Sequence, residues 1–437
     1  MSDDDHVPAG RLKRLSRIAY LTARTTGDLL ASQARRKLGK REDSPEDLKK
    51  AGERILATLG ELKGAALKLG QALAMDPDAL PEEARSVVAK LLSQAPERMP
   101  FDTVVEVVRS ELGKHPDELF RSFDREPMAA ASLGQVHGAV LHDGTDVVVK
   151  VQYPGVDRAL DNDLKNAGVL VRGFALTGET LDGRPYYEEL RASLMRELDY
   201  REEAAQAAAY AKAAARHPEL VVPRAFEELT AQRVLCLTRL RGPSLLDVIE
   251  SKPSQDERYR AGRLLVLAIW GPFYAARLIH ADPHPGNFLV LPDGRLGVLD
   301  FGATKLLSER FASVYRALLE ENAEGRAHPN VGPMLKQAGF TFLTDEDDAF
   351  DYCQKLADVV QRPILQETFD FGDDGLVKDV RKVFQADPRL GLAIKPPPEA
   401  LMFYRSAAGL AQDLRLLKAR GPFRAILQEI AARGREP

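Results

Sequence analysis

The residues best suited to chemistry stand in one stretch, His280-Ala281-Asp282-Pro283-His284-Pro285-Gly286-Asn287. Two short apolar runs follow, Phe288 to Leu291 and Leu296 to Leu299, about the turn Pro292-Asp293-Gly294, and then Asp300-Phe301-Gly302. Cations that neutralise a triphosphate need hard oxygen ligands, and Asn287 and Asp300 can provide them. An Asp five residues before that Asn can face an incoming nucleophile, because the intervening loop reverses and aims both side chains into one cleft. Asp282 takes that role, so the implied chemistry is phosphoryl transfer with magnesium. A lone D-F-G is a weak signal, whereas H-x-D-x-x-x-x-N, hairpin and D-F-G together are specific. The spacing of His280 and His284 would suit a metal pair on a helix, but Pro283 and Pro285 forbid a regular helix there. His280 is expected instead to brace the loop through backbone hydrogen bonds.

Upstream, Val147-Val148-Val149-Lys150-Val151 places a lysine on an apolar strand, where its ammonium could hold the α- and β-phosphates. Before it stands Ala129-Ala130-Ala131-Ser132-Leu133-Gly134-Gln135, in the place of a phosphate-covering loop. Ala129, Ala130, Ala131, Ser132, Gly134 and Gln135 are therefore candidate nucleotide-binding residues, with Lys150. One glycine is left in this loop, and the three methyl groups restrict how closely its backbone can approach a phosphate.

With these residues in view, the sequence resembles the UbiB/AarF family of atypical protein-kinase-like proteins. Pro127 to His137 is similar to the family's alanine-rich loop, and Lys68-Leu69-Gly70-Gln71 to the K-x-G-Q motif of its N-terminal extension. Glu197-Leu198-Asp199-Tyr200 matches its E-x-D motif, and Val149 to Val156 also reads as family sequence. The resemblance covers roughly residues 50–310. It implies an α+β, bilobal protein-kinase-like fold: a small mixed N-lobe, a large mainly helical C-lobe, and a helical extension over the cleft. It also implies ATP or ADP with Mg²⁺ as cofactors, and pairing of Lys150 with a helix carboxylate, Glu203 or alternatively Glu197. Lys68 and Gln71 would fold across the cleft toward Glu197 and Asp199. Because the extension occupies the place where protein kinases receive a peptide, ATP hydrolysis or phosphorylation of a small molecule is implied ahead of protein phosphorylation.

The implied setting is ubiquinone or other isoprenoid-lipid metabolism, with a quinone precursor or other lipid, a membrane surface and biosynthetic proteins as candidate partners. Two other readings stay open. A nucleotide-sensing pseudokinase scaffold would suit the alanine-rich loop and the occluding extension. A small-molecule phosphotransferase would share Asp282, Asn287 and Asp300 but should lack Lys68-Leu69-Gly70-Gln71. No A-P-E follows Gly302, so a phosphorylation-gated activation segment is not expected.

The elements that must position these residues follow from pattern. At 437 residues the chain exceeds one ordinary core, and four segments are expected: a basic amphipathic segment 1–47, a helical extension 48–127, an N-lobe with helical insert 128–241, and a C-lobe 242–437. Residues 101–113 read as a helix closed by Gly113. A hairpin about His142-Asp143-Gly144 should join Val136–Val140 to Val147–Val151. Residues 157–215 read as helix broken near Gly183, with Glu197 and Asp199 on a charge-rich helix. Val221-Val222 and Arg233–Thr238 suggest a second strand pair, and helix follows Ser244, broken once at the hairpin of the site. The chain then ends in a charged helix, Leu414 to Glu436.

A net charge of −4 excludes a protein whose whole surface grips nucleic acid. Cys236 and Cys353 cannot by themselves form a disulfide framework or thiolate metal site. With no apolar run long enough to span a bilayer and no basic-then-apolar leader, a cytoplasmic placement is expected. Residues 10–41, basic and amphipathic, could touch the inner face of a membrane.

Overall fold

A computed structural model describes residues 98–435 apart from Ser132, residues 162–163 and 165–183, and Asp374. Lys68, Gln71 and Ser132, and the helices expected over 10–41 and 48–95, lie outside the described residues. Those described fall into two compact units. In the smaller, which includes residues 153–188, the Tyr187 hydroxyl donates to the Leu164 carbonyl at 2.6 Å. The larger, residues 99–152 and 189–437, holds the candidate site.

Helix α1, Phe101–Leu112, buries Val104, Val107 and Val108 at helical spacing and stops at Gly113, whose φ of 75° lets its N–H reach the Arg109 carbonyl. Strands β1 (Ser122–Phe123), β2 (Ala129–Ala131), β3 (Gly134–Val140) and β4 (Asp146–Gln152) follow. The expected hairpin forms, with β3 and β4 antiparallel from Gly134↔Gln152 to Val140↔Asp146. Its turn is held by Gly144 at φ 91° and by the Asp143 carboxylate, which accepts the Thr145 N–H at 2.8 Å. Val147, Val149 and Val151 are fully buried, and α1 packs against β4.

Helix α2 spans Arg184–Arg196 and α3 spans Tyr200–Ala213. Glu197 and Asp199 lie in the break between them, not within a continuous helix. Asp199 caps α3, its carboxylate accepting the Arg201 N–H at 3.0 Å. Tyr200 packs with Leu235, Leu237 and Val148.

The second strand pair does not form as read. Strand β5 (Leu220–Val221) pairs in parallel with a distant strand, Leu296–Val298, whereas β6 (Val234–Thr238) joins the sheet antiparallel to β4. Val234 to Leu237 are all buried, which requires partners on both faces that a lone hairpin could not supply.

The helical part is built on α4, Gln255–Ala276, opened by a capping box of Ser254 and Glu257. Its run Leu264 to Ile269 is buried all round, as a central helix should be. Strands β7 (Leu278–His280), β8 (Phe288–Val290), β9 (Leu296–Val298) and β10 (Thr304–Leu306) follow, then α5, Glu309–Ala323. Further two-residue strands pair Thr341–Phe342 with Ile394–Lys395 and Phe369–Asp370 with Arg420–Gly421, so the helical region is broken more than once. Nor is its end a single charged helix. Helix α6, Ala400–Leu417, stops at Lys418 with φ 50°, and α7, Phe423–Arg435, starts afresh. Phe403 on α6 ties the core together, its ring 5.4 Å from that of Trp270 on α4 and 5.3 Å from that of Phe311 on α5. No helix among the described residues is long and apolar enough to cross a membrane.

Candidate functional site

Strand pairing brings the polar residues together. Asp282 follows β7, Asn287 precedes β8, and Asp300 lies between β9 and β10. Because β8 pairs with β9 and β7 with β10, four strand ends open on one place. The Leu299 N–H donates to the Asn287 carbonyl at 2.8 Å, so Asn287 sits beside the residue that precedes Asp300.

The loop 281–287 is held from within. Asn287 Nδ2 donates to the Asp282 carbonyl at 2.9 Å, and the His284 N–H donates to the same oxygen at 2.7 Å. His284 Nδ1 accepts the Gly286 N–H at 3.0 Å, capping the turn. His280, fully buried, bonds through Nε2 to the Leu299 carbonyl at 3.1 Å and so braces the loop against the second strand pair. No cluster of three His, Cys, Asp or Glu suited to a metal occurs among the described residues.

Asp300 has a φ of 57°, a left-handed conformation rare for a residue with a side chain. The turn lets Phe301 bury completely, its ring centroid 5.1 Å from Tyr210 and 5.9 Å from His280. Glu203 on α3 takes Lys150 Nζ at 2.5 Å. Of the two glutamates it is Glu203 that pairs with Lys150 among the described residues. Burial pushes the Glu203 carboxyl above its usual range; the Lys150 ammonium pulls it back, and the Asp300 charge adds to the rise. Glu197 is buried against Gly302, where an added Cβ would meet its Cγ at 3.1 Å. Asp199 is engaged with Arg201, whose guanidinium holds its carboxyl below the ordinary value.

The alanines of this segment form a strand. Ala129, Ala130 and Ala131 pair with Val136, Gln135 and Gly134. Cross-strand partners share a face, so Ala129, Ala131, Gly134 and Val136 lie on the Lys150 face, while Ala130 and Gln135 lie on the other. The Gln135 side chain is spent there: it accepts the Met99 N–H at 3.0 Å and donates to the Met99 carbonyl at 3.2 Å. The expectation that Gln135 meets nucleotide thus gives way to a structural tie, as alternation along the strand demands. Gly134 has its own reason, since a Cβ there would collide with the Val151 carbonyl.

One residue at the site escaped sequence reasoning. Arg405, on α6, donates from Nη2 to Asp282 Oδ1 at 2.6 Å, the two side chains being 14% and 7% exposed. It lies more than 120 residues from Asp282, and no local pattern links them.

A family model described as the ABC1 atypical kinase-like domain matches residues 90–328. The chain belongs to this family, that of the UbiB/AarF atypical kinases. It is 31% identical over 418 residues to a Rattus norvegicus protein named atypical kinase COQ8B, mitochondrial, covering 93% of this chain and 78% of the rat protein. Atypical kinase COQ8, mitochondrial, from Saccharomyces cerevisiae is 29% identical over 370 residues, covering 82% of this chain and 72% of the yeast protein. Among solved structures, the complex of Rv3197 with erythromycin from Mycobacterium tuberculosis is similar, with a TM-score of 0.62 at 31% identity over 90% of this chain and 98% of that one. The fold of this atypical kinase is accordingly protein-kinase-like. Arg405 lies beyond the span that the family model matches.

Proposed function

We propose that this atypical kinase binds Mg-ATP and hydrolyses it or transfers its γ-phosphoryl group to a small acceptor. The observation that carries the reading is the meeting of Asp282, Asn287 and Asp300 at four paired strand ends, beside a Lys150–Glu203 pair whose carboxyl feels the charge of Asp300. In this reading Lys150 steadies the α- and β-phosphates, and Ala129, Ala131 and Gly134 line its face of the sheet. Asn287 and Asp300 offer oxygens to magnesium, a set that suits an ion which takes one or two protein ligands and draws the rest from phosphate and water. Magnesium, when bound, supplies positive charge to the phosphate oxygens. Asp282 orients the nucleophile. Resemblance to the atypical kinase COQ8 proteins supports a role in isoprenoid-quinone or related lipid metabolism.

The test is thermal unfolding with ATP or ADP, with and without Mg²⁺, for the wild type and Asp300→Asn. Ligand at about 100 times its Kd stabilises by roughly 2.7 kcal/mol. A magnesium-dependent rise in Tm that Asp300→Asn abolishes is expected, and an equal rise in both proteins would refute the assignment of Asp300.

A further inference from the structure

Three consecutive residues, from the end of β7 into the loop, rest on one face of α6. Ser406 donates its hydroxyl to the His280 carbonyl at 2.7 Å, Met402 packs with Ala281 and Ala303, and Arg405 pairs with Asp282. Positions 402, 405 and 406 stand at i, i+3 and i+4, so a single helical face supplies all three contacts. The helix is itself anchored, since the Glu399 carboxylate at its start accepts the Ser308 N–H at 2.8 Å and the Ser308 hydroxyl at 2.6 Å. The Arg405 Nε is buried with no hydrogen-bond partner among the described residues, a cost tolerated where the guanidinium is needed for its charge.

We infer that Arg405 is the positioning residue of Asp282: from α6 it holds the carboxylate that orients the phosphoryl acceptor, with Ser406 and Met402 fixing the backbone on which Asp282 rides. A charge-assisted bond of 2.6 Å between largely buried groups fixes one oxygen of the carboxylate, and with it the direction of the other. The inference rests on the proposed reading of the cleft and deepens it. Arg405 holds the Asp282 side chain, whereas Asn287 is tied to the Asp282 backbone carbonyl at 2.9 Å and only at 3.5 Å to its Oδ2, so nucleotide binding and turnover should separate.

The experiment measures Mg-ATP turnover and the Tm rise with Mg-ADP in the wild type, Arg405→Gln and Arg405→Lys. Misplacing a reacting group by about 1 Å costs about a hundredfold in rate, so Arg405→Gln should lose kcat on that scale while KM and the Mg-ADP shift hold within about twofold. Arg405→Lys, which keeps the charge but not the fork, should recover part of kcat. If Arg405→Gln fails to fold, Arg405→Lys carries the test by a reduced kcat at unchanged KM. An unchanged kcat in either folded variant, or kcat and KM changing together, overturns the inference. A wild type that shifts with Mg-ADP yet turns over no ATP also overturns it while leaving the nucleotide site standing. A wild type that shows neither overturns both.

Discussion

Replacing Asp413 by Asn should make this protein more stable at high pH and leave it little changed at low pH. Asp413 lies on the inward side of α6 with Leu410, Leu414 and Leu417, is 1% exposed, and has Oδ2 without a hydrogen-bond partner among the described residues. Burial pushes its carboxyl up from 3.8 to about 8. The folded protein therefore keeps the proton that the unfolded chain releases above about 3.8, and stability falls as pH rises from there through about 8. At about 1.4 kcal/mol per pH unit, the three units from pH 5 to pH 8 correspond to about 4 kcal/mol. Water entry and local relaxation lower that figure to about 2 kcal/mol or more. Asn copies the protonated acid in shape and does not titrate, so any fixed cost of its amide is the same at both pH values. Thermal unfolding of both proteins at pH 5 and pH 8 gives the comparison, in which the exposed carboxylates cancel. The variant should gain on the wild type by several degrees between the two. An offset equal at both pH values would mean that Asp413 is already ionised in the folded state, and the reasoning from burial would fail.

Two further outcomes follow from the geometry. Gly134→Ala should destabilise by about 1–3 kcal/mol, because its methyl group meets the Val151 carbonyl within a paired strand and not the end of a flexible side chain; a Tm equal to that of the wild type would exclude the close approach. Arg433 holds Glu219 with Nη1 at 2.9 Å and Nη2 at 3.0 Å, and its hydrogen bonds bring the Glu219 carboxyl down from 4.5 to about 2. A carboxyl lowered in the fold contributes fully above about 4.5 and loses that contribution as pH falls toward about 2, so the Tm gap between wild type and Arg433→Gln should narrow from pH 6 to pH 3. A gap that stays constant would show that α7 is anchored by something other than this pair.

The sequence by itself was enough for whatever is written within about twenty residues. Asp282, Asn287 and Asp300 were legible because short strands and Pro/Gly turns join them, and such turns carry their geometry locally. The hairpin around Gly144 and the end of α1 at Gly113 were readable for the same reason. Alternation along β3 even contained the signal that Gln135 faces away from Lys150, since residues of opposite parity look to opposite sides of a sheet.

Tertiary structure decided the rest. Which glutamate meets Lys150 depended on the break at 197–199, where the Asp199 cap restarts the helix and sets Glu203 one turn inside it, facing the sheet. The parallel pairing of β5 with β9 joins residues about 75 positions apart. Arg405 reaches Asp282 across a still longer separation. Local periodicity states which face of an element is apolar, and leaves open which distant element that face will meet. That choice is made by packing of the whole core around Phe403, Trp270 and Phe311, which carries α6 beneath the loop and gives Asp282 its guanidinium.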